Sequence, residues 1–329
     1  MTRLSIVIPF LDEVESLPLL FAALQPVLNA VSGDNEVILV DDGSTDGGLE
    51  LVRRFCLLDE RFRVVSFSRN FGHQTAITAG MDLARGEAIV VMDADLQHPP
   101  NTIFDLIGQW EAGNDVVYAI RRGVEAETKF KRLSARLYYR LLDRLTEIEV
   151  PLNAADFRLL DRRVVAALSE MREGDRYLRG MIAWLGFAQT EVHYSQPGRA
   201  VGHSKYTLRR MIRLATDGVV GFSNLPLHLA INVGFVFSAL ALVSGLFTIG
   251  QRLLGADLVP GWASVLVLVA FIGGVQLLVL GVLGVYLGRT YGESKRRPLY
   301  VVRELINLES ADVTPSRAVL PRAVARREE

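Results

Sequence analysis

Over the first 120 positions, short unbroken apolar runs alternate with stretches whose apolar residues recur every three to four positions. The runs Leu4-Ser5-Ile6-Val7-Ile8-Pro9, Glu36-Val37-Ile38-Leu39-Val40, Arg63-Val64-Val65-Ser66-Phe67, Ala88-Ile89-Val90-Val91-Met92 and Asp115-Val116-Val117-Tyr118-Ala119 read as strands buried on both faces. Helical spacing marks 14–31, a segment through Leu49, Val52 and Phe55, and the small-residue stretch 74–84. Strands without polar alternation, separated by helices, predict an α/β fold of Rossmann-like type: a mostly parallel sheet with helices on both faces. A further strand is expected at 154–160, a helix from Asp161 onward, and another strand at 188–194. Between them, residues 125–148 form a basic amphipathic stretch.

Downstream, the pattern changes. Residues 227–249 and 263–287 are two almost wholly apolar runs. Each clears the roughly 20 residues that a helix needs to cross a bilayer core. Arg209, Arg210 and Arg213 precede the first run, and Arg289, Lys295, Arg296 and Arg297 follow the second, whereas the short connection holds only Arg252. The positive-inside rule then puts both flanks in the cytoplasm and the connection outside. Leu208, Met211, Ile212, Ala215 and Val219 recur at helical spacing with arginines between them, the pattern of a helix lying on a membrane surface. The expected organisation is a cytoplasmic catalytic domain over 1–205, an interfacial juxtamembrane helix over 206–224, a two-helix transmembrane hairpin over 225–290, and a cytoplasmic tail over 291–329 whose end is disordered. Gly273, Gly274, Gly281 and Gly284 leave room for helix association and a homo-oligomer.

Composition narrows the classes. The chain has 329 residues, with 36 basic side chains against 37 acidic ones, so charge offers no argument for a nucleic-acid partner. Cys56 is the single cysteine, which rules out an intrachain disulfide and a cysteine-based metal cluster. The N-terminal apolar run contains Pro9 and ends at Asp12-Glu13, unlike a secretory signal.

Polar clusters end the strand runs: Phe10-Leu11-Asp12-Glu13, Asp41-Asp42-Gly43-Ser44, Ser68-Arg69-Asn70-Phe71-Gly72, and Asp93-Ala94-Asp95-Leu96-Gln97. In a parallel sheet these ends share one edge and converge on a crevice. Chance alone supplies an Asp-x-Asp in a chain of this length; the convergence is what gives this one meaning. No Gly-x-Gly-x-x-Gly follows the first strand, and no Gly-Lys-Ser/Thr phosphate loop occurs. A diphosphate bound here would therefore need a cation and basic side chains. Asp93, Asp95 and Gln97 offer the hard oxygen ligands that suit Mg²⁺ or Mn²⁺.

These segments, with Ser68-Arg69-Asn70-Phe71-Gly72-His73-Gln74, Asp93 to Pro100, Asp156-Phe157-Arg158-Leu159 and Gly202-His203-Ser204-Lys205-Tyr206, occur in the order seen in family 2 glycosyltransferases of GT-A fold. Within that family the chain resembles the polyprenyl-phosphate glycosyltransferases, of the GtrB and dolichol-phosphate mannose synthase type. Leu11-Asp12 stands where the family often has Tyr-Asn. The resemblance implies an inverting membrane enzyme that moves a hexose from a nucleotide sugar, UDP-glucose first, to a polyprenyl phosphate such as undecaprenyl phosphate. It would lie in the cytoplasmic (inner) membrane of a bacterium. GDP-mannose and a UDP-aminosugar are alternative donors, and an inactive membrane scaffold is the rival of another class. By position, the resemblance puts Pro9, Leu11, Glu13, Asp41, Asp42 and Asp93 at the nucleotide. Arg199, Ser204 and Lys205 fall at the diphosphate, and Arg121 and Arg132 at the lipid phosphate. Asp93, Asp95 and Gln97 would hold the metal, with Asp95 and Asp156 the catalytic carboxylates. Asp156 either acts as base or orients the acceptor, unless it simply pairs with Arg158. No Gln-x-x-Arg-Trp of a processive synthase is present.

Overall fold

A computed structural model describes residues 2–122, 154–174, 176–195, 261–308 and 318–319, with isolated positions between 230 and 254. The basic stretch with Arg132, the loop bearing Arg199, Ser204 and Lys205, the interfacial helix and nearly all of the first apolar run lie outside the described residues.

The expected strands all form. They are β1 (Thr2–Phe10), β2 (Asp34–Asp41), β3 (Phe62–Phe67), β4 (Ala88–Val91), β5 (Val116–Arg122), β6 (Ala154–Asp161) and β7 (Gln189–Ser195). Between them run α1 (Leu17–Ala30), α2 (Gly48–Leu58), α3 (His73–Leu83), α4 (Thr102–Glu111), α5 (Arg162–Glu170) and α6 (Leu178–Trp184). After the long α7 (Trp262–Ser294) come β8 (Tyr300–Ile306) and a two-residue β9 (Ala318–Val319). The sheet order is β7-β5-β6-β4-β1-β2-β3-β8-β9.

The centre, β4-β1-β2-β3, is parallel. Its strands are buried along nearly their whole length, which accounts for their unbroken apolar runs. On α1, Leu17, Leu20, Phe21, Leu24, Val27 and Leu28 form one buried stripe joined to the core of the sheet. α3 sits so close to the sheet that a Cβ on Gly80 would come 2.2 Å from Val7 Cγ1, so only glycine fits there.

Two features depart from simple strand-helix alternation. β6 enters between β4 and β5 and runs antiparallel to both. The second is β8, a strand in the early part of the expected tail, where the residue pattern assigns no element. It pairs antiparallel with β3, and its Tyr300 ring stacks on Phe67 at 5.1 Å. Tyr300 Oη also donates to Asp82 Oδ2, which Arg172 grips through both carboxylate oxygens. β8 thereby covers the edge that β3 would otherwise expose.

Two compact units result. One holds residues 1–143, 147–207 and 297–329, the other 144–146 and 208–296. In the second unit, α7 is about 50 Å long at 1.5 Å per residue. Its stretch Phe271–Ser294 is long and apolar enough to cross a membrane, and none of its described side chains is fully buried.

Candidate active site

The C-terminal ends of β1, β2, β3 and β4 carry the polar loops expected from the sequence. Backbone contacts knit those loops together. Asp41 Oδ1 accepts from Ser44 N at 2.8 Å, and its Oδ2 from Ser66 Oγ at 2.7 Å. Asp42 Oδ1 accepts from Phe71 N at 2.7 Å, and Oδ2 from Gly72 N at 3.0 Å. Burial pushes the Asp42 carboxyl up, against those two amides. Gly43 (φ +84°) lets the loops meet, since a Cβ there would sit 2.8 Å from the Arg69 carbonyl carbon. Asp12 (φ +54°) accepts from Thr45 N, and Ser44 Oγ accepts from Asp12 N. Glu13 accepts from Ser16 Oγ in the turn before α1, with Pro9 buried and Leu11 half-buried beside it. The predicted nucleotide residues of β1 and β2 thus stand on one braced edge.

The antiparallel entry of β6 completes the site. Val91 of β4 lies opposite Arg158 of β6. Two residues on, the same register brings Asp93 level with Asp156. His73, at the start of α3, stands between them, with Nε2 3.3 Å from Asp156 Oδ2 and 3.5 Å from Asp93 Oδ1. Burial pulls the His73 imidazole down, but the Asp156 hydrogen bond and the charges of Asp93 and Asp156 outweigh it and hold the ring above its ordinary value.

Asp156 is the hub. Arg158, itself 2 % exposed, pairs with its Oδ1. Arg179 Nε is 3.4 Å from the same oxygen, and Gln74 Nε2 donates to Oδ2 at 3.3 Å. Burial alone would raise the Asp156 carboxyl. The His73 hydrogen bond and the two guanidinium groups overcome it and hold the acid well below the usual carboxylate range. The ion pair with Arg158 therefore exists, and it sits inside the site.

The Asp93–Gln97 loop turns back on itself at Leu96, which adopts a left-handed backbone (φ +60°) that costs a leucine on the order of 1 kcal/mol. The turn lets Gln97 donate to both oxygens of Asp95, from its backbone at 3.1 Å and from Nε2 at 2.7 Å. Asp93 differs. Its Oδ1 is enclosed and accepts no hydrogen bond from the described residues, and burial pushes the carboxyl up. A cation would relieve that cost. Among the described residues no three His, Cys, Asp or Glu side chains already form a cage. One or two carboxylates completed by substrate oxygens is how Mg²⁺ is commonly held, so Asp93 and Asp95 fit such an ion.

Arg121, at the end of β5, is exposed and pairs across β7 with Tyr194. The Tyr194 phenol is pushed up by burial; Arg121 opposes this, while Asp93 and Asp95 add to it, which places Arg121 at the same edge. Sequence reading did not assign His73, Gln74, His98 or Arg179 to the site. The first three lie inside the quoted motifs; Arg179 has no local signal.

A GT-A-type α/β sheet with carboxylates at its parallel edge is the class that fold and site define. Residues 5–168 match the family description "Glycosyl transferase family 2". The chain is 41 % identical over 306 residues to the "Uncharacterized glycosyltransferase YkcC" of Bacillus subtilis, covering 93 % of this chain and 95 % of that one. It is 33 % identical over 303 residues to the "Prophage bactoprenol glucosyl transferase homolog" of Escherichia coli, covering 92 % and 99 %. Glucosyl-3-phosphoglycerate synthase from Mycobacterium tuberculosis, solved with Mn²⁺, UDP and phosphoglyceric acid, shows a weak backbone likeness (TM-score 0.44, 19 % identity, 67 % of this chain and 76 % of that one). The chain belongs to glycosyl transferase family 2.

Proposed function

We propose that this protein transfers a hexose, glucose from UDP-glucose first, to a polyprenyl phosphate such as undecaprenyl phosphate at the cytoplasmic face of a bacterial inner membrane. The observation that carries the reading is the register that sets Asp156 level with Asp93 at the edge where the β1, β2 and β3 loops meet. The relative named as a bactoprenol glucosyl transferase homolog, similar over nearly its full length, points to the lipid acceptor.

In this reading Asp93, Asp95 and Gln97 would hold Mg²⁺ or Mn²⁺ through their side-chain oxygens. When bound, the ion neutralises charge on the leaving diphosphate. The β1 and β2 loops hold the nucleotide, with Asp41 and Asp42 acting mainly through the loops they brace. Arg199, Ser204 and Lys205 clamp the diphosphate, and Arg121 and Arg132 the lipid phosphate, as guanidinium groups do well. An acceptor phosphate oxygen attacks the anomeric carbon as the bond to the diphosphate breaks. The nucleoside diphosphate leaves, and the centre inverts. That oxygen is already anionic at neutral pH, so no strong base is needed. Asp156, so acidic in its cluster, is a poor base. It serves to orient Arg179 and His73 towards the reacting groups.

Strand order constrains the topology that this reading allows. β8 follows α7, yet pairs with β3 of the domain that precedes both apolar runs. If the segment between them crosses a membrane, it must return to the side it left, which takes an even number of crossings. α7 would be one crossing, and 227–249 is the apolar run available for the other.

The test uses the purified full chain with Mn²⁺ or Mg²⁺, undecaprenyl phosphate and a panel of radiolabelled nucleotide sugars, followed by lipid extraction. Label in the lipid from one donor is expected; none from any donor overturns the reading. Full activity in Asp95→Ala overturns the metal assignment. For topology, an impermeant maleimide applied to intact cells should label Ala256→Cys and spare Leu308→Cys. Labelling of Leu308→Cys from outside removes the even-crossing reading.

A further inference from the structure

The last backbone hydrogen bond that carries β4 onward along β1 is Met92 N to Val7 O, at 3.1 Å. The next amide, Asp93 N, has left the ladder while its residue is still partly enclosed. Left unpaired, a buried N–H costs about 1–3 kcal/mol. His98 satisfies it: its Nδ1 accepts from Asp93 N at 2.9 Å, five residues back along the same loop. An accepting Nδ1 carries no proton, so the ring's N–H is on Nε2, which faces Asp93 Oδ2 at 3.8 Å. His98 is 4 % exposed. Its ring stacks on Phe157 (4.8 Å, 18°) and meets Tyr194 edge-on (6.2 Å, 83°). Phe157 is the neighbour of Asp156 on β6, and Tyr194 of β7 lies in register with Arg121 of β5.

We propose that His98 is the positioning residue of the site: it staples the Asp93–Gln97 loop shut and indexes Asp93 against Asp156 through Phe157. The inference rests on the reading above that Asp93 and Asp95 hold a divalent cation. The loop needs such a staple because Leu96 sits in a left-handed conformation that leucine disfavours, so the turn persists only where its surroundings impose it. Met92 N holds one end to the sheet, and His98 closes the other. Without the imidazole acceptor, Asp93 N–H turns to find another partner and carries the carboxylate with it. Partners behind a metal ligand commonly matter 10- to 100-fold in metal affinity.

The experiment compares the full-length wild type with His98→Phe, which keeps a stacking ring and loses the acceptor, and His98→Asn, whose Oδ1 can reach the place of Nδ1. Mn²⁺ is titrated by electron paramagnetic resonance in the presence of UDP, and hydrogen exchange is followed in the peptide spanning 92–98. His98→Phe should weaken Mn²⁺ about 10- to 100-fold and speed exchange of that peptide. His98→Asn should restore both to within about threefold, a rescue that loss of packing alone does not permit. Wild-type Mn²⁺ affinity and exchange in His98→Phe overturn the proposal and leave the metal reading standing. A wild type that binds no Mn²⁺ overturns both. Should His98→Phe fail to fold, His98→Asn is set against His98→Leu, which matches its shape without the acceptor; equal Mn²⁺ affinity in the two overturns the proposal.

Discussion

Replacing Asp156 with asparagine separates its structural role from its chemical one. Arg158 is 2 % exposed, its NH2 pairs with Asp156, and its NH1 has no hydrogen-bond partner among the described residues. A guanidinium stays charged at any working pH. Tyr118 lies 5.8 Å from it, near the limit of a useful cation–π contact. Asp156→Asn therefore strands a buried cation, and breaking such a pair costs about 3–5 kcal/mol. The asparagine oxygen still accepts one hydrogen bond, which returns about 1 kcal/mol. His73 and Arg179, with side chains 45 % and 29 % exposed, relax into solvent. The expected net loss is about 2–4 kcal/mol, or roughly 4–16 °C in apparent Tm for a domain of this size. The assay is thermal unfolding of the detergent-solubilised full chain at one fixed scan rate, followed by tryptophan fluorescence, to which Trp110, whose indole donates to Asp161 at 2.8 Å, contributes.

The second arm is Asp156→Asn with Arg158→Met. Swapping a whole buried pair for apolar groups is often neutral or stabilising, so the double variant should melt close to wild type. It should remain inactive, because the carboxylate that orients His73 and Arg179 is gone. A single variant melting within about 2 °C of wild type, or a double variant no more stable than the single, refutes the stranded-cation argument. Activity in the double variant would confine Asp156 to a structural role. The sign of the pH dependence follows. The folded Asp156 acid lies below its unfolded value of about 3.9, so its stabilisation is present above that pH and fades as pH falls below it. The acid limb of the Asp156→Asn stability curve should be flatter than that of wild type.

Cys56 is buried and its thiol is pushed up to about 12, mainly by burial, so iodoacetamide at pH 8 should leave it unmodified until the domain unfolds; native-state labelling within minutes contradicts this. Gly80→Ala gains helix propensity but drives a methyl into Val7, so a net loss of about 1–2 kcal/mol is expected, and a raised Tm would refute the packing argument. Removing residues 297–329 uncovers β3 and Phe67, so the truncated chain should aggregate on heating where the full chain does not; unchanged light scattering would show that β8 is dispensable.

Much of this domain is legible in its residue pattern. The unbroken runs of β1 to β4 announce strands buried on both faces, and the polar clusters after them announce a shared edge, because both signals are local. Asp93, Asp95 and Asp156 were all recognisable as candidates. Periodicity reports whether a face is buried; it says nothing about which strand lies alongside. The antiparallel insertion of β6 is therefore invisible in the sequence, and only its register brings Asp156 level with Asp93. Asp42 shows the same limit. An Asp-Asp-Gly-Ser turn marks a binding loop, but only the folded chain reveals that Asp42 takes the amides of Phe71 and Gly72. β8 goes furthest: 251 residues separate Arg53 from Glu304, the ion pair that ties that strand to α2. By itself, then, the sequence determined the elements and the chemistry at their ends, through forces that act within a few residues. Tertiary structure decided which carboxylates meet, which cation each one neutralises, and that the chain comes back to its first sheet, because pairing between distant segments depends on the fold as a whole.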